Sequence, residues 1–388
     1  MKSFRQYLEQ GAISAQAAAL FRRPESIVGT RFDPELAYLP ASGVGCDGVG
    51  SARVFYSFES DGARRLVNWS QRPCRINTYG DSFTQCNQVS DGETWQEVLA
   101  AHFGEPLRNF GVGGYGVYQA YLRMKRMESA PSGAPYVILN IFEDDSYRSL
   151  MACRWLHLPW FQPAHRDNPG FHAMPWAHIR LDPATGKWVE VANPFNTPES
   201  LCQLADPGFV FETFRDDPIL KLEFMRHGGQ VEDTEDLCAL ARYFKVPLNE
   251  LFTAYALAST VHIVAKAKEF LALQGKRLMV LLSYSAGNVV RHLSTGQRFD
   301  GRLLDELAKL NVPVCDILAK YTEDYAAFKL SPKEYCERQY IGHYNPAGNH
   351  FFAFAIKGDL ISWLNPRPPA CEASGSQRVL LDILAECS

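Results

Sequence analysis

No stretch of this 388-residue chain approaches the roughly 18 apolar residues of a membrane span. That excludes a helical transmembrane segment. The basic start, Met1-Lys2-Ser3-Phe4-Arg5, is followed by Glu9, Gln10 and Gln16 rather than a continuous apolar core, which argues against a secretory leader. A soluble, cytoplasmic protein is the expectation. The sequence carries no basic stripe, and its formal net charge is -4. Phosphate backbones are bound by clustered basic excess, so nucleic acid is excluded as a partner. The ten cysteines are scattered from Cys46 to Cys387 without a Cys-x-x-Cys pair or zinc-type Cys/His spacing. They read as thiols rather than a disulfide framework, and no metal site is expected. No internal repeat is present.

What the chain does have is one long α/β alternation, interrupted once. Residues 1–24 read as a helix with an apolar face through Phe4, Leu8, Ile13, Ala17 and Leu20, ended by Pro24. Residues 25–72 are rich in Gly, Pro, Ser and Asp, with short β-like pieces and a hairpin turn at Asp61-Gly62. From Pro73 the alternation is regular. Strands are expected at 75–79, 106–110, 136–142, 277–282 and 312–317. Helices are expected at 93–103, 117–127, 249–273, 301–310 and 346–363. Pro346 suits a first helical turn.

Such alternation implies right-handed crossovers and a parallel sheet covered on both faces. The expected fold is a flavodoxin-like three-layer α/β/α sandwich with five parallel strands. An N-terminal arm (1–72) and a cap-like insertion (151–250) are added to a core of residues 73–150 and 251–365. A tail (366–388) follows, with a short helix expected at 379–385. The insertion gathers Trp155, His157, Trp160, His165, His172, Trp176 and His178. These residues make the core of a cap, or alternatively a stacking surface for sugar rings.

The chemistry-bearing residues fall at the C-terminal ends of strands, where open α/β sheets bind ligands. Gly80-Asp81-Ser82 ends the first strand. A serine at such a corner can be a nucleophile if a base reaches it. His343, in Gly342-His343-Tyr344-Asn345-Pro346, precedes the last helix of the core at the same edge. It is the candidate base, with His350 as the alternative. The Gly111–Gly116 loop offers backbone N–H groups for an oxyanion at a helix N-terminus.

Four blocks in order carry a resemblance. They are Gly80-Asp81-Ser82, Asn109-x-Gly111-x-x-Gly114, a strand ending in Glu143-Asp144-Asp145, and His343 before Asn345-Pro346-Ala347-Gly348. This pattern resembles the SGNH (GDSL) hydrolases over about residues 73–150 and 276–364. The resemblance implies Ser82 as nucleophile and first oxyanion donor, Gly114 as second donor and His343 as base. Asp81 and Tyr115 are placed with the substrate. Two departures stand out. Where the family has an oxyanion asparagine, this chain has Asp144, and Asn140 lies inside the strand. Where the family has an acid shortly before the histidine, this chain has Tyr340 and Ile341. Asp144 and Asp145 are the first candidates for the orienting acid, with Asp316 and Glu337 behind them; a Ser–His dyad is the alternative. The resemblance implies a serine esterase that needs no cofactor. Its substrate would be a small-molecule or carbohydrate ester, with an O-acetylated carbohydrate first. An O-acyltransferase on the same site and a catalytically silent binding protein are the rivals.

Overall fold

The computed structural model describes residues 3–157, 167 and 170–371. Five strands form a parallel sheet: β1 (Ile76–Tyr79), β2 (Arg108–Asn109), β3 (Tyr136–Phe142), β4 (Arg277–Ser283) and β5 (Val314–Asp316). Their spatial order is β2-β1-β3-β4-β5. β3 is buried along its whole length, as expected for an apolar run covered on both faces. Its register sets Ile76 beside Tyr136 and Arg277 beside Tyr136 on the other side. Because β1 and β3 are neighbours whose connections leave in opposite directions, a crevice opens beyond their C-terminal ends.

Helices α1 (Ser82–Gln85), α2 (Trp95–Phe103), α3 (Val117–Glu128), α4 (Leu248–Ala272) and α5 (Pro346–Trp363) connect or cover the strands. α5 packs on α2. Its start is fixed by Asn345, whose side chain accepts the Gly348 N–H, with Pro346 in the first turn.

The N-terminal segment departs from the expected single helix. It folds as two helices, Phe4–Gln10 and Ala15–Phe21. Gly11 terminates the first and the Ser14 hydroxyl caps the second, which breaks the apolar period. The arm then makes two antiparallel pairs, 30–33 with 37–40 and 43–45 with 54–56. Its Arg64 donates to the carbonyls of Gln85, Cys86 and Val89, tying the arm to the loop behind Ser82.

In the insertion, Trp155 and Trp176 are buried and donate to the carbonyls of Gly11 and Met151. They pack in the interior, Trp155 against the N-terminal segment and Trp176 against Tyr38 and Tyr115, rather than offering a stacking surface. Trp160, His165 and the tail helix expected at 379–385 lie outside the described residues. Every described cysteine is a free thiol. No helix among the described residues is long and apolar enough to cross a membrane.

Candidate active site at the β1–β3 crevice

Gly80 makes the corner that presents Ser82. Its φ is +152°, and a Cβ there would lie 2.2 Å from Thr84 Oγ1 and 2.4 Å from the Asn140 carbonyl. Only glycine lets β1 turn this close to β3. Asp81 then caps α1, its carboxylate accepting the Phe83 N–H at 2.8 Å. Ser82 becomes the first residue of the helix. Neither the Ser82 N–H nor the Gly114 N–H has an internal acceptor among the described residues.

His343 arrives from the loop before α5. Its Nε2 lies 2.8 Å from Ser82 Oγ. On the far side of the ring, Nδ1 lies 3.1 Å from Gln88 Oε1, which also accepts the His343 backbone N–H at 2.8 Å. The Gln88 amide nitrogen donates to the Asp47 carbonyl at 3.1 Å, and that fixes which way the amide faces. An amide oxygen only accepts, so Nδ1 carries the imidazole proton and Nε2 is left to accept from Ser82. Gln88 is itself held in the left-handed region at φ +70°, with its N–H donated to the Tyr56 hydroxyl. Strain of this kind persists where the surroundings over-determine a conformation. Burial pushes the His343 pKa down; the nearby Asp81 carboxylate opposes that shift, and Arg148 adds to it. The ring is neutral, the form that can take a proton.

The group facing His343 Nδ1 is therefore an amide from the loop after α1, not a carboxylate. Asp144 and Asp145 do not supply it. Asp145 turns back beneath β3, accepting the Phe142 N–H at 3.0 Å and an Arg148 N–H at 2.9 Å. Burial and the neighbouring Asp81 push its carboxyl pKa up, against the pull of Arg148. The Asp144 side chain is 60% exposed and lies 3.5 Å from Arg148. Asp316 is engaged by Arg298 and caps the helix 317–325. His350 stacks with Phe354 on α5. Asn140 donates to Thr84 Oγ1 beneath the corner.

Two further expectations change. Tyr115 does not face the crevice: it is wholly buried, its hydroxyl donating to the Tyr38 carbonyl and its ring packed against Tyr38 and Trp176. Asp81 is also buried, so it braces rather than contacts a ligand from solvent. Its second oxygen lies 3.2 Å from Ser82 Oγ and 3.4 Å from Arg148. The serine proton thus has two acceptors, with His343 the nearer.

Ser82, His343, Gly113, Gly114, Arg148 and Arg154 share a cavity of about 400 Å³. Gly114 has φ +89°, and a Cβ there would lie 2.1 Å from Arg154 Nη1. The guanidinium therefore rests directly on the loop that offers the second N–H. Burial and the neighbouring Arg148 push the Arg154 pKa down to about 10, still charged at neutral pH. Gln88, Arg148 and Arg154 are the site-forming residues that sequence reasoning missed.

Comparison with family models finds no match. No curated protein matches either. Among solved structures, a member of the lipolytic protein G-D-S-L family from Veillonella parvula DSM 2008 aligns with a TM-score of 0.35 and 12% identity, covering 75% of this chain and 100% of that chain. A likeness that distant leaves the function to the geometry of the site.

Proposed function

We propose that the protein is a serine esterase of SGNH type that hydrolyses a carboxylic ester through an acyl-enzyme on Ser82. The observation that carries this reading is the 2.8 Å contact between Ser82 Oγ and a His343 ring whose other nitrogen is already committed as a donor. That pairing is what a hydroxyl needs to become a nucleophile at neutral pH.

In the first half-reaction Ser82 Oγ bonds to the ester carbonyl carbon and its proton passes to His343 Nε2. The carbonyl oxygen becomes an oxyanion beside the Ser82 and Gly114 N–H groups. Preorganised donors of this kind lower the barrier by about 3–4 kcal/mol each. Arg154, seated on Gly114, adds positive charge beside that loop. The tetrahedral adduct then collapses, the C–O bond to the alcohol breaks, and His343 Nε2 returns its proton to the leaving oxygen. In the second half-reaction a water bonds to the acyl carbon and gives its proton to the same nitrogen; the bond from that carbon to Ser82 Oγ then breaks, Oγ takes the proton back from Nε2, and the acid leaves.

Gln88 replaces the triad acid in this scheme. It holds the productive tautomer but brings no charge to stabilise the imidazolium. That absence is what motivates the rival reading, a catalytically silent binding protein. Hydrolysis of 4-nitrophenyl acetate and butyrate by the wild type and Ser82→Ala separates the two. Turnover that is lost in the variant supports the esterase. Equal background rates in both proteins would remove support for hydrolysis of simple esters. Added methanol, with product analysis for methyl ester, distinguishes hydrolysis from acyl transfer.

A further inference from the structure

The N-terminal arm lies outside the part of the chain that carries the family resemblance, yet it reaches the residue that faces the base. Tyr56 ends the second strand of the arm's hairpin, paired with Gly43. Its hydroxyl accepts the Gln88 N–H at 2.9 Å and lies 3.3 Å from Asp47 Oδ1, to which it donates. Asp47 sits in the connection between the two strands of that hairpin and offers its carbonyl to the Gln88 side-chain amide at 3.1 Å. The arm therefore holds Gln88 at its backbone N–H and at its NH₂ group. The remaining oxygen, Oε1, points to His343.

The loop that carries Gln88 needs such support. Cys86 at φ +62° and Gln88 at φ +70° both lie in the left-handed region, which side chains other than glycine avoid. The buried Arg64 guanidinium donates to the carbonyls of Gln85, Cys86 and Val89, so it fixes the loop on either side of Gln88. The Gln88 N–H is left to Tyr56. Arg64 also lies over the Tyr56 ring, 5.2 Å from its centre, which sets the ring in place. Burial pushes the Tyr56 pKa up, so the hydroxyl keeps its proton and can donate to Asp47 while accepting from Gln88. On the opposite side the histidine loop closes on the same amide: a Cβ on Gly342, at φ +112°, would lie 3.0 Å from Gln88 Oε1. With both sides this close, a displacement of Gln88 is passed directly to the His343 ring.

We propose that Tyr56 is a positioning residue for the base: its hydroxyl fixes the left-handed Gln88, and Gln88 in turn fixes the Nδ1–H tautomer of His343. The arm is then part of the active site rather than an appendage to it. The assignment rests on the esterase reading for its effect on turnover, whereas its effect on the His343 ring holds whether or not an ester is cleaved.

The test is Tyr56→Phe in the full-length protein, made alone and together with Gln88→Ala. Phenylalanine keeps a ring beneath Arg64 and removes only the hydroxyl; Tyr56→Met is the second hydroxyl-free variant should the first not fold. Losing one neutral hydrogen bond on the way to the base lowers kcat for 4-nitrophenyl acetate about fivefold, with KM within about twofold of wild type. In the Gln88→Ala background the same substitution changes kcat by less than about twofold, because the side chain through which Tyr56 acts is already gone. A purely structural role would give the same loss in both backgrounds, and that result overturns the proposal. So does a wild-type kcat in Tyr56→Phe. Nitrogen-15 NMR of labelled histidine at pH 7.5, with His343 assigned by its loss in His343→Gln, reads the ring directly. The proposal expects one Nδ1–H tautomer in the wild type and a mixture in Tyr56→Phe; an unmoved tautomer overturns it. A wild type that cleaves no ester but whose ring loses its single tautomer in Tyr56→Phe sinks only the esterase. An active wild type whose kcat and tautomer both ignore Tyr56→Phe sinks only this assignment.

Discussion

Gln88→Ala removes the one group that fixes the His343 tautomer. Two acceptor contacts disappear, at 3.1 Å to Nδ1 and 2.8 Å to the backbone N–H. Each is a neutral hydrogen bond worth about 1 kcal/mol net. Only the first bears directly on the base, but the second holds the loop that carries it. Together they place the loss of transition-state stabilisation at about 1–2 kcal/mol, or roughly 5- to 30-fold in kcat/KM. That is far less than the roughly 10⁴-fold loss when a triad aspartate becomes asparagine, because that amide enforces the wrong tautomer whereas Gln88→Ala only leaves the tautomer unfixed. Gln88→Glu provides the complementary test. A carboxylate beside Nδ1 favours the imidazolium, so the His343 pKa rises. Burial holds it below its ordinary value in the wild type, so the acid limb of kcat/KM lies below pH 6.5 and moves upward in the variant. The substitution also sets a carboxylate oxygen against the Asp47 carbonyl, where an N–H now donates at 3.1 Å, and so costs about 1–3 kcal/mol of stability. The assay is the pH dependence of kcat/KM for 4-nitrophenyl acetate in all three proteins. A Gln88→Ala protein within twofold of wild type, with an unmoved acid limb in Gln88→Glu, would refute the assignment of Gln88 as the positioning residue.

Three other outcomes follow from the same geometry. Gly114→Ala puts a Cβ 2.1 Å from Arg154 Nη1 at φ +89°, so it loses about 1–3 kcal/mol of stability and roughly 10²-fold or more in kcat; a variant with wild-type kcat would remove Gly114 from the oxyanion site. Arg154→Met lowers kcat by about tenfold or more with a smaller change in KM, checked by steady-state kinetics; a change confined to KM would make Arg154 a ground-state binder. Burial also pushes the pKa of His157 to about 4 and of His178 to about 3. Below the unfolded value near 6.5 the unfolded chain binds protons that the folded protein refuses, so this stability is intact above pH 6.5 and is lost as pH falls towards 4. His157 alone accounts for about 3 kcal/mol over that window, so urea midpoints measured at pH 7 and 4.5 should converge in His157→Phe relative to wild type; parallel midpoints contradict it.

The centre of the sheet was legible because β3 and β4 are mainly apolar runs bounded by helical pattern. β3 matches its expected limits at 136–142, and α5 starts at Pro346, where proline and Asn345 mark the cap. The corner helix 82–85 was not read, since four residues carry no period. Helices at 286–295, 317–325 and 332–337 were also missed. Their signals were the caps Ser285, Asp316 and Ser331 rather than long apolar stripes. The pairing of Gln88 with His343 spans 255 residues, and no local pattern encodes it. Only the absence of an acid at Tyr340 and Ile341 signalled that the partner had to come from elsewhere. Arg148 and Arg154 were hidden for a related reason. Arg148 ends the four-residue helix after β3, Arg154 opens the insertion, and it is packing on Gly114 that brings Arg154 to the site.

The most direct measurement is intact-mass analysis of the folded protein after exposure to a fluorophosphonate, with peptide mapping of the adduct. The account predicts stoichiometric labelling at Ser82 in the wild type, none in Ser82→Ala and strongly slowed labelling in His343→Ala. An unlabelled wild type, or labelling that persists in Ser82→Ala, would contradict it.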